Sequence, residues 1–328
     1  MLAAFVERIG TLFDRRFIIA HWAPTIIAAV AMGGVVLVRV GRTRPVDWWT
    51  ELSADERLWL AFAVLLTLTA IANILAALTT TTVRWYEGYN LPGPLRDWGR
   101  TRQLREWQQL TNRLQDDDAY QRRYFAYPQD SGRVRPTRLG NVLTAAEEYP
   151  QRVYRLDAVI WWPRLAPLLP EVLRAQIDAV VTPLVALLNL SSLLTVVSLI
   201  GGGFLFLTEE RAWPFVVVFG GGLIVARLCY VAAIGQAAAY GSVVRASFDL
   251  HRTDVLKQMR IPVPDSWLEE RRTWAVMNQL AFKFQPPWQN PPFPGTDPTT
   301  ILDESLFPFR YAKPEAAAVE KPKAGAGR

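Results

Sequence analysis

The sequence predicts an all-α membrane protein, with four transmembrane helices in two hairpins and a helical cytoplasmic domain. Three observations predict it. Four apolar runs, Ile18–Val40, Leu58–Thr80, Val185–Leu207 and Trp213–Ala239, each reach the roughly 20 residues that a helix needs to cross a hydrocarbon core. The runs fall into two pairs on either side of a polar block, Thr81–Pro183, which carries 15 Arg against 12 acidic residues. Charged residues and tryptophans gather at the ends of the runs, as they do at bilayer boundaries.

Taken in chain order, residues 1–17 are a cytoplasmic N-terminus and 18–80 the first hairpin. Arg15-Arg16-Phe17 and Ala29-Val30-Ala31 have the look of an export signal and its cleavage site. The apolar run continues well past Ala31, longer than the roughly 7–15 residues of a signal core, so the first helix is read as uncleaved. Gly41–Arg57 is a loop of mixed charge. The second run has no polar stop: the chain continues through Arg84-Trp85-Tyr86-Glu87-Gly88-Tyr89 until Pro92 ends any helix.

Residues 81–184 are expected to form a cytoplasmic and interfacial helical domain. Leu95, Trp98, Leu104, Trp107 and Leu114 approximate helical spacing with arginines between them, which predicts a basic amphipathic helix packed on the domain. Asp116-Asp117-Asp118 marks a turn or a helix start, and Arg135–Asn141 a loop leading into Val142–Glu148. The run Val153–Leu165 is apolar but too short to cross, so it is expected to lie at the interface or to re-enter it. Pro170 and Glu171 open a helix that leads, with a kink at Pro183, into the second hairpin, 185–239.

Residues 240–284 continue as cytoplasmic helices. Val244, Phe248, Val255 and Met259 suit a buried stripe before Pro262 and Pro264, and Ser266 with Glu269 forms the pattern of a capping box for a helix reaching about Phe284. Residues 285–328 form a Pro-rich, largely disordered tail, although Trp288, Phe293, Phe307, Phe309 and Tyr311 suit docking of part of it on a surface.

Basic residues near span ends favour the cytoplasm. Arg84, Arg174, Arg245, Arg252, Lys257 and Arg260 therefore place both termini and the middle block inside, with Gly41–Arg57 and Thr208–Ala212 outside. Of 36 basic residues only 5 are Lys, a bias that suggests a GC-rich bacterial genome and hence the inner membrane. The formal net charge of +6 is modest for 328 residues and argues against a dedicated nucleic-acid binder. Cys229 is alone, so no disulfide forms within one chain.

Several short patterns, in this order, resemble a set found in a family of bacterial multi-pass membrane proteins with no assigned activity. They are Tyr86-Glu87-Gly88-Tyr89, Pro136–Asn141, Asp157 to Leu165, Leu187–Ser191, and Tyr240-Gly241 to Phe248–Arg252. The resemblance covers most of the chain from the second run onward. It supports the helical membrane fold and supplies no catalytic residues.

Arg227 is the sharpest candidate site residue. It lies near the middle of the fourth run, where a charge costs at least about 2.5–3.5 kcal/mol. Asn73, Asn189 and Ser192, with Ser191 and Thr195, are the polar groups expected to offset it, either as interhelical partners or as the lining of a solute path. Gly201–Gly203 and Gly220–Gly222 are expected to pack the second hairpin tightly. A second candidate is interfacial: Asp157 and Arg164 flanking Trp161 and Trp162, as a surface ion pair or part of a headgroup site. No metalloprotease, phosphate-loop or nucleophile-elbow motif is present, so no catalytic residue, metal or cofactor is expected.

The function that follows is non-enzymatic: a multi-pass inner-membrane anchor or scaffold that recruits a protein partner, or further copies of itself, through its cytoplasmic domain. The alternative is an oligomeric channel or membrane-permeabilising component. The tail yields one expectation. Removing Lys313–Arg328, whose Ala, Lys and Gly cannot bury enough surface to offset chain entropy, leaves the amount of membrane-inserted protein unchanged on a fractionation blot.

Overall fold

A computed structural model describes residues 15–41, 43–113, 123–208 and 211–283, and no strand occurs among them. Helix α1 is Arg15–Val40, with a π-helical stretch at Ile18–Trp22. It is followed by α2 (Thr43–Glu51), α3 (Ala54–Glu87) and α4 (Gly93–Asn112). Next come α5 (Arg138–Tyr154), α6 (Ala158–Leu165) and α7 (Glu171–Thr208). Helices α8 (Ala212–Gln258, π-helical at Val216–Gly221) and α9 (Trp267–Lys283) complete the set. The Asp116–Asp118 turn and the Pro-rich segment 285–328 lie outside the described residues.

Helices α1, α3, α7 and α8 are long and apolar enough to cross a membrane, so this is a multi-pass membrane protein. They outrun the apolar stretches that mark them. The 38 residues of α7 span about 57 Å, nearly twice a hydrocarbon core of about 30 Å. The helix passes through Pro183 without a break. The expected loop Gly41–Arg57 contains α2, and α3 starts within it at Ala54. There the Ser53 hydroxyl accepts the Glu56 N–H while the Glu56 carboxylate accepts the Ser53 N–H, a complete capping box. At α9 the Ser266 hydroxyl accepts the Glu269 N–H as expected, but the Glu269 carboxylate takes the N–H of Asp265.

The chain divides into two compact units, Met1–Glu147 with Leu169–Ser247 and Glu148–Leu168 with Phe248–Arg328. In the first, α7 packs against α1, α3 and the π-helical start of α8. Small residues make these approaches. Gly201 faces Val35, Gly202 faces Phe219, and Gly222 sits on the Ser198 hydroxyl, so a methyl group at any of them would collide. Gly203, Gly220 and Gly221 face open space among the described residues, so only half of the two glycine runs serves packing. At the polar end of these helices, Leu139, Val142 and Leu143 of α5 close a core with Leu184, Leu188, Ala233 and Ala237.

Helix α4 departs from its expected stripe. It buries Gly99, Gln103 and Leu110, while Leu95 and Trp98 are exposed. Close backbone approach decides this face: a Cβ on Gly99 would lie 2.7 Å from the Pro136 carbonyl oxygen, so the contact excludes bulky side chains.

The second unit has a core of its own. The Trp161 and Trp274 rings meet edge to face at 5.1 Å, and Trp162 packs on Phe248. Glu270, fully buried, accepts from Arg252 Nε at 2.7 Å and from Trp274 Nε1 at 3.1 Å. The Arg252 guanidinium lies 3.9 Å from the Tyr154 ring centroid, and Asp249 accepts the hydroxyls of Tyr149 and Tyr154. Burial and the adjacent Arg155 pull the Arg271 guanidinium down to about 10, while it donates to the carbonyls of Arg152 and Val153.

Two glycines set a test of the first unit. A Cβ on Gly140 would press on the Glu87 carbonyl oxygen and on the Thr137 hydroxyl. Gly140→Ala is expected to cost about 2 kcal/mol, whereas Gly203→Ala, with open space before it, is neutral or stabilising by up to about 1 kcal/mol. Thermal melts of the two variants in neutral detergent check the contrast.

Candidate functional site

The site is assembled at the polar end of α3. Gly88 caps this helix in the left-handed region, φ 93°, where L side chains are strained, and its missing side chain makes room for Pro136. Thr137 Oγ1 donates to the Tyr86 carbonyl at 2.7 Å and accepts the Gly140 N–H at 3.0 Å. Arg135 donates to the Tyr89 hydroxyl at 2.6 Å, and burial raises that phenol above its ordinary value. Asn141, fully buried, accepts the Arg135 N–H and donates to Gln103 Oε1, which also accepts the Tyr127 hydroxyl at 2.9 Å. Burial pushes the Tyr127 phenol up as well, in keeping with a hydroxyl that donates to Gln103.

Tyr86 carries this junction into the membrane helices. Its hydroxyl donates to Ser191 Oγ at 2.9 Å and lies 3.3 Å from Ser192 Oγ, while Ser191 donates to the Ala226 carbonyl of α8. The Tyr86 ring stacks on Tyr230 at 5.6 Å, and the Arg227 guanidinium lies 5.0 Å from the Tyr230 centroid. These contacts border a cavity of about 1010 Å³. Trp98 and Arg102 of α4 and Arg138 of α5 line one part of it, and Thr195, Val196 and Leu199 of α7 with Leu223 of α8 line another.

The lining holds three arginines, Arg102, Arg138 and Arg227, and no aspartate or glutamate. Arg138 reaches Glu106 only at 3.9 Å, and that carboxylate also serves Arg123 at 3.4 Å. Among the described residues, Arg102 and Arg227 make only ring contacts, to Trp98 at 5.8 Å and to Tyr230 at 5.0 Å. The cavity therefore presents unmatched positive charge beside apolar walls. That arrangement attracts an anion and has room for much more than a small inorganic one.

Of the groups expected around Arg227, Ser191, Ser192 and Thr195 share its cavity. Asn73 is exposed and donates to Thr69 O of its own helix. Asn189 is buried against α1 instead, donating to the Ala20 carbonyl at 2.9 Å and lying 3.0 Å from His21 Nδ1. Ala20 lies in the π-helical stretch Ile18–Trp22, just before Pro24, which has no N–H, and Asn189 adds a side-chain donor where the helix is irregular. The interfacial quartet is likewise occupied within the second unit. Asp157 caps α6 by accepting from Val159 and Ile160 N–H, and Arg164 donates to Ile160 O over the Trp161 ring. Trp161 is buried, with its Nε1 donating to Asn278 at 2.6 Å. Arg102, Arg138 and Tyr86 escaped sequence reasoning as site residues, because only the folding of 93–112 and 136–138 against α3 brings them to Arg227.

Among the described residues, no three His, Cys, Asp or Glu side chains converge in a way that could hold a metal ion. The geometry assigns unlike roles to two neighbours. Tyr86→Phe removes the hydroxyl that donates to Ser191 and is expected to cost about 1 kcal/mol, although both serines keep their carbonyl partners. Arg227→Leu breaks no hydrogen bond and is expected to change stability by less than about 0.5 kcal/mol. Melting curves in uncharged detergent distinguish the two.

Comparison with known protein families, with characterised proteins and with solved structures finds no match to this chain.

Proposed function

We propose that the protein is a non-enzymatic multi-pass anchor of the bacterial inner membrane that recruits a protein partner through its polar helices. The observation that carries this reading is the second unit. Its interior is closed by the Trp161–Trp274 pair and by the Arg252–Glu270 ion pair, so a compact body is built from residues outside the four apolar runs. A chain that needed only to sit in the bilayer would have no use for it. The distribution of arginine supports a cytoplasmic position for both termini and for residues 81–184, with the two membrane pairs as hairpins.

An oligomeric channel is the second reading, favoured by Arg227 facing a cavity without a polar partner among the described residues. Two measurements on the full chain separate them. In a Cys229→Ser background, a cysteine at Glu51 is expected to react with an impermeant maleimide in intact cells and one at Asp130 to be protected. Reaction at Asp130 would overturn the orientation. Purified protein in liposomes is expected to show no anion flux above empty liposomes; flux that is lost in Arg227→Gln would replace the anchor with the channel.

A further inference from the structure

We infer that the cavity beside Arg227 is a binding site for an anionic phospholipid. The phosphate would lie against Arg102, Arg138 and Arg227, and the acyl chains along Val196, Leu199 and Leu223. This goes beyond the anchor reading and holds whether or not the protein recruits a partner.

Charge is the first argument. Three guanidinium groups share one cavity whose lining contains no carboxylate, and two of them make only ring contacts among the described residues. Arginine reads phosphate oxygens with paired N–H donors, and it is less strongly hydrated than lysine, which suits a site at the edge of the hydrocarbon.

Hydrogen-bond accounting is the second. The hydroxyl protons nearest the site are already committed: Tyr86 to Ser191, Ser191 to the Ala226 carbonyl, Ser192 to the Leu188 carbonyl and Thr195 to the Ser191 carbonyl. The charged donors that remain are the arginines, so the complementary ligand is rich in acceptors and negative.

Position is the third argument. Ser191 bonds Ala226, so Arg227 lies level with a point only six residues inside the α7 apolar run that begins at Val185. Its guanidinium lies 5.0 Å from the ring centroid of Tyr230, which is nearer in sequence to the polar end of α8. Trp85 and Trp98, both exposed, sit on the same cavity as interfacial aromatics do at headgroup depth. Deeper in the run, Val196 and Leu199 are about half exposed, at 48% and 53%, and offer an apolar wall to a chain. A volume of about 1010 Å³ is far more than a free phosphate needs and suits a headgroup with the first part of its chains.

The test uses the full-length protein in neutral detergent, with melting temperature and native mass spectrometry as readouts. Three additions are compared: dioleoyl phosphatidylglycerol, dioleoyl phosphatidylcholine and inorganic phosphate. Phosphatidylglycerol is expected to raise the melting temperature by roughly 4 °C at about ten times its Kd and to stay bound in the spectrometer. The other two should do neither. Arg102→Gln and Arg227→Gln are each expected to weaken phosphatidylglycerol about tenfold, and Arg105→Gln, on the same helix as Arg102 but outside the lining, to leave it unchanged.

Equal stabilisation by phosphatidylcholine would overturn the inference by showing plain solvation of the helices. Full reproduction of the shift by inorganic phosphate would overturn it in favour of a soluble-anion site. A loss in Arg105→Gln as large as in Arg102→Gln would reduce the effect to diffuse surface charge and overturn it as well. If Arg227→Gln does not fold, the exposed Arg102→Gln decides alone, and unchanged phosphatidylglycerol affinity in that variant sinks the proposal.

Discussion

Helix α7 assembles the membrane part of this protein, and it does so through small and polar side chains more than through apolar area. Lipid tails are as apolar as leucine, so helices in a bilayer gain little by hiding leucine from their surroundings. What α7 offers instead is close approach at Gly201 and Gly202, a hydroxyl beneath Gly222, an amide for α1 and a serine pair for Tyr86. Each is specific to one neighbour. Together they fix which face of α7 meets α1, α3 and α8, a choice that the nearly uniform apolarity of the run leaves open.

This explains what could be read from the residues and what could not. The four crossings were legible because an apolar run of some 20 residues leaves the chain few alternatives. The cap at Ser266 was legible because capping is local. The start of helix α4 departs from its expected stripe because backbone proximity chooses its buried face: Gly99 and Gln103 go inward and Trp98 stays out, while Leu104 and Trp107 of the stripe are half-buried. Arg227 stood out as a charge in an apolar run, yet its surroundings did not. Asn189 appeared equally eligible, yet the packing of α7 on α1 brings it to the Ala20 carbonyl, a long-range contact that local sequence does not encode. Residues far apart in the chain meet in the same way: Tyr86–Tyr89 lies against Pro136–Asn141, and Trp162 packs on Phe248.

The second unit shows the same economy in a different medium. Trp161, which the sequence offered as part of an interfacial site, turns inward and donates to Asn278, and Trp274 beside it donates to Glu270. Glu270 is tolerable in the interior because Arg252 and Trp274 satisfy it together, and Arg252 is held in turn by the face of Tyr154 and the carbonyl of Asp249. Such a network gives little net stability over an apolar core of the same shape, but it penalises any arrangement that separates its members.

The bond between Asn189 and the Ala20 carbonyl has a consequence for biogenesis. The two residues are 169 positions apart, so α1 leaves the ribosome with a carbonyl in its irregular first turns whose side-chain partner does not yet exist. At 5–20 residues per second, the wait is on the order of 10 s or more. Arrival of α7 ends the wait and at once sets the height at which α1 rests, since sliding by a single turn would expose both carbonyl and amide again. The bond thus ties the first crossing helix to the third, and it can form only once the third is made.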